Sequence, residues 1–278
     1  MKNFRFKQVD VFTDRPFLGN PVAVVMGAER LDAAAMQRIA CWTNLSETTF
    51  LLQSKVADYR LRIFTPRQEL PFAGHPTIGS AHAAIESGFV SRKLKITQEC
   101  GAGIVELAVE KEGIFLKAPE ARVSPVESEK LLQALGVPAK NLKSVNVGPV
   151  WIIGEISTAT ALAAMAPDMG ALARATTAAG AGGVTLFAPS GEKKSAIHVR
   201  SFAPAHGINE DPVCGSGNIS VAAYLKAGGT LARFGDSYVA RQGMQLGRDG
   251  RVTVRVGKRG IEIGGKSVTC VEGTLKAG

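Results

Sequence analysis

The strongest constraint on the fold is a motif that occurs twice, about half the chain apart. Residues 62–66 (RIFTP) recur as 200–204 (RSFAP), and residues 69–74 (ELPFAG) recur as 210–215 (EDPVCG). The offset is 138 residues for the first pair and 141 for the second, so a three-residue insertion in the second copy reconciles them. A period this long is not that of a solenoid. In a chain of 278 residues it predicts two similar domains.

Each copy has the pattern of a strand, a loop, a proline-containing turn and a helix of small residues. Residues 77–85 (TIGSAHAAI) and 218–225 (NISVAAYL) are small or apolar on nearly every side. Because a helix without a polar stripe is usually buried, we expect strands to surround a central helix in each domain. Gly88 and Gly228 are expected to end the two helices.

The predicted fold class is α+β, with two pseudo-symmetric domains that each consist of a mixed β-barrel around a central helix. The expected domains are residues 1–118, completed by a C-terminal strand at about 266–278, and residues 119–265. The expected junction is the stretch 119–125, which begins and ends with proline, since no low-complexity linker is present elsewhere.

Composition and cysteine usage are those of a cytoplasmic globular protein. Apolar residues make up 45% of the chain and charged residues 21%, and no apolar run approaches the length of about 18 residues that a membrane span needs. The first seven residues (MKNFRFK) lack the apolar core of a signal peptide. The four cysteines are far apart and form no Cys-x-x-Cys pair, so we expect reduced thiols without a disulfide framework or a metal site.

The net charge of +9 raises the question of nucleic-acid binding. The densest basic stretch is residues 248–259, in which Val252, Val254 and Val256 alternate with polar residues. That alternation is typical of a half-buried strand with a solvated outer face, and no aromatic residues interleave with the arginines. We therefore expect no nucleic-acid partner and interpret the positive charge as steering a small anionic substrate.

The repeated turns place backbone amides at two helix starts. The amides of the Gly74–His75 turn and of the Gly215–Ser216 turn, with the helix dipole behind them, are suited to binding a carboxylate. One such glycine would be explained by the turn alone, but two copies favour an anion site that faces a single cleft. His75 either donates to such an anion or caps the helix, and the residues alone leave both open.

The two copies differ at positions where chemistry could reside. Ala73 in the first copy corresponds to Cys214 in the second, and Leu70 corresponds to Asp211. A racemase with two thiols would need a cysteine in both positions, so alanine in one of them argues against that mechanism. From the residues alone, Cys214 is more readily interpreted as a small packing residue than as a base.

Several sequence blocks, taken together, identify a family resemblance. The blocks are residues 9–13 (VDVFT), 19–25 (GNPVAVV), 44–50 (NLSETTF), 64–66 (FTP), 69–77 (ELPFAGHPT), 200–204 (RSFAP) and 210–218 (EDPVCGSGN). In this order, and spanning most of the chain, they resemble the PhzF-like family of phenazine-biosynthesis proteins. The resemblance implies the diaminopimelate-epimerase-like fold, in which two pseudo-symmetric barrels each enclose a helix.

The resemblance also implies a cofactor-independent isomerase that forms a homodimer. Its acid/base is the glutamate of the Ser-Glu-Thr block, which is Glu47 in this sequence. Without the family, Glu47 would be interpreted as a solvated residue between a helix and a strand. His75 and Asp211 fall on positions that hold substrate or shuttle protons. The implied substrate-binding residues are Asn20, Ser46, Gly74, Gly215 and Ser216.

The function we expect is transfer of a proton on a small carboxylate substrate by Glu47, in a cleft between the domains. Two alternatives stay open. In one, Cys214 works with Glu47 in an amino-acid racemase or epimerase, because PhzF-like proteins often carry threonine at this position whereas related epimerases keep a catalytic cysteine there. In the other, the chain is a binding protein on the same scaffold, against which the joint presence of Glu47, His75 and Asp211 argues.

Overall fold

The computed structural model describes residues 2–258 and 260–277. The chain divides into two units, the first comprising Met1–Leu116 and Gly264–Gly278 and the second comprising Lys117–Ile263. The last segment of the chain thus belongs to the first unit. The expected boundaries, after residues 118 and 265, each lie two residues further along the chain.

Strands dominate the order of elements along the chain. Through the first unit the elements are β1 (Lys2–Val11), β2 (Asn20–Met26), α1 (Ala33–Thr43), β3 (Thr48–Leu52), β4 (Tyr59–Phe64), β5 (Glu69–Leu70), α2 (Gly74–Glu86), β6 (Lys95–Cys100), β7 (Gly103–Val109) and β8 (Ile114–Lys117). There follow β9 (Arg122–Pro125), α3 (Glu129–Leu135), β10 (Lys140–Asn146), β11 (Val150–Glu155), α4 (Ala159–Ala164), α5 (Met169–Ala178), β12 (Gly183–Pro189), β13 (Ile197–Ala203), β14 (Ile208–Asp211), α6 (Gly215–Ala227), β15 (Ser237–Gln242), β16 (Gly250–Gly257), β17 (Gly260–Gly265) and β18 (Ser267–Ala277). Short 3-10 helices occupy Pro204–His206, Leu231–Arg233 and Met244–Leu246. Within the described ranges, no helix has the length and apolar character that crossing a membrane requires.

The same order of strand pairing occurs in both units. In the first, β1 pairs antiparallel with β2 and β18, β2 pairs parallel with β3, β3 pairs antiparallel with β4, and β4 pairs parallel with β6. In the second, β10 pairs antiparallel with β9 and β11, β11 pairs parallel with β12, β12 pairs antiparallel with β13, and β13 pairs parallel with β15. The half-chain repeat therefore corresponds to two copies of one mixed sheet topology.

Helices α2 and α6 are the central helices of their units. α2 packs against β1, β2, β3, β4 and β18, and α6 packs against β9, β10, β11, β12 and β16. Nearly every residue of both helices is buried, as the absence of a polar stripe predicts. In each unit, strands with mixed parallel and antiparallel pairing pack around a buried helix, which confirms the predicted α+β fold class.

A second apolar core in each unit lies between the sheet and the remaining helices. In the first unit, Met36 of α1 packs with Phe50 and Phe64 of the sheet. In the second unit, Leu172 of α5 and Leu186 of β12 belong to the equivalent core. Each sheet thus buries apolar side chains on both faces, which is typical of sheets with parallel pairings.

The repeated Arg, Phe and Glu residues make the same contacts in both units. The Arg62 guanidinium forms two hydrogen bonds with the Glu69 carboxylate, at 2.7 and 2.6 Å, and lies 5.1 Å from the centre of the Phe64 ring. These contacts tie β4 to β5, the strand that leads into α2. The equivalent residues of the second unit are Arg200, Phe202 and Glu210. Much of the repeated motif therefore stabilises the pair of strands that precedes each central helix.

The central helices begin where the repeated turns are expected to start them. α2 begins at Gly74 and α6 at Gly215, the glycines of the motif. Gly88 follows α2 with a φ of +68°, as a helix-ending glycine should. Gly228 has a φ of −81°, and the left-handed residue after α6 is Gly229, with a φ of +67°. α6 ends at Ala227 with Gly228 as its C-cap, so the expected stop at Gly228 is confirmed, and the right-handed conformation continues through this residue.

We expect Glu210→Gln to lower stability far more than Glu69→Gln. The side chains of the Arg200–Glu210 pair are 7% and 8% exposed, and Arg200 also donates to the Leu162 and Met165 carbonyls. Loss of the carboxylate therefore leaves a buried charge without its counterion, which costs about 3–5 kcal/mol. The corresponding pair of the first unit is 22% and 41% exposed, and exposed pairs contribute about 0–1 kcal/mol. Urea denaturation measures both variants, and equal losses would contradict this explanation.

Candidate active site

Glu47 lies in the short connection between α1 and β3. The cap residue of α1 is Asn44, whose left-handed conformation (φ 55°) ends the helix. The backbone carbonyl of Glu47 accepts a hydrogen bond from the Ala23 amide of β2, the strand that pairs parallel with β3. The hydroxyls of Thr43 and Thr48, which flank the connection, are hydrogen-bonded to each other at 2.6 Å. Glu47 is therefore held on a backbone that is fixed at both ends.

His75 lies close to Glu47. It is the second residue of α2, directly after Gly74, and its Nε2 atom lies 3.3 Å from Oε2 of Glu47. The two side chains are only 7% and 14% exposed. The structure thus makes neighbours of two residues to which the family resemblance assigns catalysis.

Burial controls the acidity of Glu47. Removal of the carboxyl from water raises its pKa from an ordinary value of 4.5 to about 7, and a hydrogen bond from Ser46 opposes that shift. A carboxyl whose pKa lies near neutrality is present in both protonation states at pH 7. Such a group is able both to take and to return a proton, which is what general acid–base catalysis requires.

Asn20 is presented by a closely packed turn. It is the buried first residue of β2, and the amide of the preceding Gly19 donates to the buried Asp10 carboxylate at 3.3 Å. A Cβ at Gly19 would lie 2.3 Å from the backbone oxygen of Val11, so only glycine fits this position. Packing and one charge-assisted hydrogen bond therefore fix the turn.

The remaining predicted site residues belong to the second unit. Asp211 ends β14, and its carboxylate accepts a hydrogen bond from the Val213 amide at 3.0 Å. Gly215 and Ser216 are the first two residues of α6. The Ser216 hydroxyl accepts a hydrogen bond from the indole N–H of Trp151 at 3.0 Å. Side chains that form hydrogen bonds thus lie at the start of α6.

Cys214 is a buried helix cap. Its Sγ atom accepts a hydrogen bond from the Gly217 amide at 3.3 Å and lies 3.6 Å from Oγ of Ser216. Burial raises the pKa of the thiol well above its ordinary value, and the nearby Asp211 carboxylate raises it further. The thiol is therefore protonated at neutral pH, and a protonated thiol is not a base.

Sequence analysis did not predict Trp151 or the two threonines beside Glu47. Trp151 is 65 positions from Ser216, so no local pattern links them, although a buried tryptophan commonly seeks an acceptor for its N–H. The threonine pair looks in sequence like ordinary helix-end and strand-start residues. Within residues 2–258 and 260–277, no group of three or more His, Cys, Asp or Glu side chains is placed to hold a metal ion.

Comparison with known proteins gives four findings. The sequence matches the family described as phenazine biosynthesis-like protein (PhzC-PhzF) over residues 9–273. It is 39% identical to antisense-enhancing sequence 1 of Schizosaccharomyces pombe, over 98% of this chain and 99% of that protein. It is also 33% identical to the trans-2,3-dihydro-3-hydroxyanthranilate isomerase of Pseudomonas chlororaphis, over 96% and 97% of the two chains. The crystal structure of the Bacillus anthracis phenazine biosynthesis protein of the PhzF family matches with a TM-score of 0.89 and 27% identity, over 99% and 100% of the two chains. These matches confirm both the motif resemblance and the expected fold.

We expect Glu47→Gln to stabilise the protein at high pH and to leave its stability almost unchanged at low pH. In the folded state the carboxyl keeps its proton up to about pH 7, whereas in the unfolded chain it loses that proton near pH 4.5. Between those values the folded state binds more protons, so the free energy of unfolding falls as the pH rises through this window. This pKa shift corresponds to a decrease of about 3 kcal/mol in the free energy of unfolding at high pH. Glutamine is neutral at every pH, so the variant does not show this decrease.

Urea denaturation of both proteins at about pH 4 and about pH 8.5 measures this difference. Glu106→Gln is the matched control, because the Glu106 side chain is 63% exposed. If Glu47→Gln were equally stabilising at both pH values, the raised pKa of Glu47 would be disproved.

Proposed function

Because the chain belongs to the phenazine biosynthesis-like family and is an isomerase, we propose that it moves a proton between two carbon atoms of a small carboxylate substrate, with Glu47 as both acid and base. The observation that carries this proposal is the buried Glu47 carboxyl, which lies 3.3 Å from His75 and has a pKa of about 7. Carboxyl groups perturbed in this way are typical of catalytic sites.

The proposed reaction has two steps that use one group. The ionised Glu47 carboxylate takes a proton from a carbon atom next to a carbon–carbon double bond, and the electron pair left behind delocalises over the conjugated system. The protonated carboxyl then returns the proton to a different carbon on the same face of the substrate. Protons and electrons balance within the substrate, so the chemistry needs no cofactor.

His75 and the start of α2 support both steps. The imidazole lies 3.3 Å from the Glu47 carboxyl and is able to carry a proton during the transfer. The N-terminal end of α2, at Gly74, carries partial positive charge. That charge stabilises the negative charge that develops on the substrate when its proton leaves.

A cyclic, conjugated carboxylate is the substrate class that we propose. The relative from Pseudomonas chlororaphis is named for trans-2,3-dihydro-3-hydroxyanthranilate, and the net charge of +9 favours the approach of an anion. The residues that we propose to bind the substrate or to assist the proton transfer are Asn20, Ser46, Gly74, Asp211, Gly215 and Ser216. The homodimer implied by the motif resemblance is part of the same proposal.

Two other functions are less well supported. A racemase or epimerase that uses Cys214 with Glu47 would need the thiol to ionise, and burial next to Asp211 opposes that ionisation. A non-catalytic binding protein would have no use for a carboxyl whose pKa is raised to about 7. The isomerase is therefore the function that the geometry favours.

We expect Glu47→Gln to fold and to lose isomerisation. Glutamine keeps the shape and the hydrogen bonds of the side chain but cannot remove a proton from carbon. General acid–base catalysis contributes about 100- to 10,000-fold to rate, and we expect a loss at the upper end of that range because Glu47 is the base in both steps. The measurement is turnover of trans-2,3-dihydro-3-hydroxyanthranilate, and then of other small carboxylates, in heavy water, with deuterium in the product as the readout.

His75→Asn and Asp211→Asn provide the comparison, since both residues assist the transfer in this mechanism and do not begin it. Their losses should be smaller than that of Glu47→Gln. Unchanged deuterium incorporation by Glu47→Gln would remove Glu47 as the base, and the mechanism would have to be abandoned.

The racemase alternative is tested by Cys214→Ser. A serine hydroxyl caps a helix as well as the thiol does, so we expect the variant to keep isomerase activity within about tenfold of the parent protein. A loss as large as that of Glu47→Gln, in a variant with an unchanged circular dichroism spectrum, would favour the epimerase.

A further inference from the structure

Trp151, Ser216, Cys214 and Asp211 form a continuous chain of polar contacts within the second unit. Nε1 of Trp151 lies 3.0 Å from Oγ of Ser216, and that Oγ lies 3.6 Å from Sγ of Cys214. The nearby Asp211 carboxylate raises the pKa of the thiol. The proposed proton transfer gives no role to Trp151 or Cys214, so this series of polar contacts needs a separate explanation.

The indole fixes the role of the Ser216 oxygen. An indole N–H only donates, so the Ser216 oxygen accepts from Trp151. The hydroxyl keeps its own hydrogen, which is the one hydrogen that the Ser216 side chain is able to donate.

We propose that Trp151 is a positioning residue that makes the Ser216 hydroxyl a dedicated hydrogen-bond donor to the substrate carboxylate. In the free protein the hydroxyl also contacts the Cys214 sulfur, which is only a weak donor and a weak acceptor. An ionised carboxylate is a much stronger acceptor, so the hydroxyl hydrogen turns to it when the substrate binds. The identity of the bound anion rests on the proposed function, whereas the direction of the Trp151–Ser216 hydrogen bond does not.

Close packing keeps the indole and the sulfur in place. The Trp151 side chain is almost fully buried, and a Cβ at Gly183 would lie 2.7 Å from Cζ3 of its ring, so the ring packs directly on the glycine backbone. The Gly217 amide donates to Sγ of Cys214 at 3.3 Å. Because the packed indole stays in place, the Ser216 lone pair that accepts from it keeps one orientation in the free protein.

The presence of two tryptophans in the chain allows a direct test by NMR. In ¹H–¹⁵N spectra we expect the indole N–H signal of Trp151 to move upfield in Ser216→Ala, because its acceptor is gone. The Trp42 side chain is 79% exposed, and its signal is the internal reference. Ser220→Ala is the matched control, since Ser220 is a buried serine of the same helix whose hydroxyl has no hydrogen-bond partner among the described residues.

Either of two results would overturn the proposal at this stage. One is a Trp151 signal that does not move in Ser216→Ala. The other is an equal movement in Ser220→Ala, since that would reflect a general change of the helix and not the loss of one acceptor. Circular dichroism of each variant shows whether the fold is kept.

Binding of anthranilate, a small aromatic carboxylate, tests the consequence for substrate recognition. Trp151→Phe keeps an aromatic ring and removes the N–H, and we expect about fivefold weaker binding of anthranilate, equivalent to one net hydrogen bond of about 1 kcal/mol. In the Ser216→Ala background the same substitution should have no further effect, because Trp151 acts through Ser216. Additive losses, or a parent protein that does not bind anthranilate, would overturn the proposal.

Failure of the proposed isomerisation and failure of the proposed role of Trp151 give different results. If the NMR and binding results are as expected but no small carboxylate is turned over with deuterium incorporation, the role of Trp151 stands and the isomerisation fails. If turnover is found and Ser216→Ala leaves the Trp151 signal in place, the isomerisation stands and the role of Trp151 fails.

Discussion

The structure of both units depends on burying a helix on every side. A helix enclosed by strands needs small side chains where the sheet comes close, and a Cβ at Gly79 would lie 2.5 Å from Val22 and 2.7 Å from Val11. This close packing fixes the start of each helix, where His75 or Ser216 is found. Since the surroundings are shielded from water, the partial positive charge of the helix start acts more strongly there than at a protein surface.

A polar side chain on the central helix α2 links it to the strand that follows Glu47. Oγ of Ser80 in α2 lies 2.8 Å from Oγ1 of Thr49 in β3, and β3 begins directly after Glu47. Leaving such a buried polar group unsatisfied would cost about 1–3 kcal/mol, so this link resists separation of helix and strand. The distance between Glu47 and His75 is therefore a property of the fold and not only of two side chains. Preorganised catalysis requires groups held in this way.

The fold was predictable from the sequence to a greater extent than the site. A long-period repeat and helices without a polar stripe predict two units built around buried helices, and both features depend only on local composition and spacing. Which of two adjacent glycines, Gly228 or Gly229, takes the left-handed conformation is decided by how far the helix continues, and that depends on packing. The burial of Glu47 arises from the pairing of β2 with β3 and from the approach of His75, so its own neighbours in sequence give no sign of it and only the family motif identified it. Trp151 has neither a motif nor a nearby partner in sequence.

The two copies share a scaffold and differ at their helix starts. Ala73 gives α2 no side-chain cap, and His75 two residues later lies next to the Glu47 carboxyl. Cys214 caps α6, and Ser216 two residues later accepts from an indole. Because the counterpart of Cys214 is an alanine, no second thiol stands at the equivalent position to complete a pair of bases. The proposed isomerisation, in which one carboxyl takes and returns the proton, is compatible with this difference, since bases on opposite faces of a carbon would invert it.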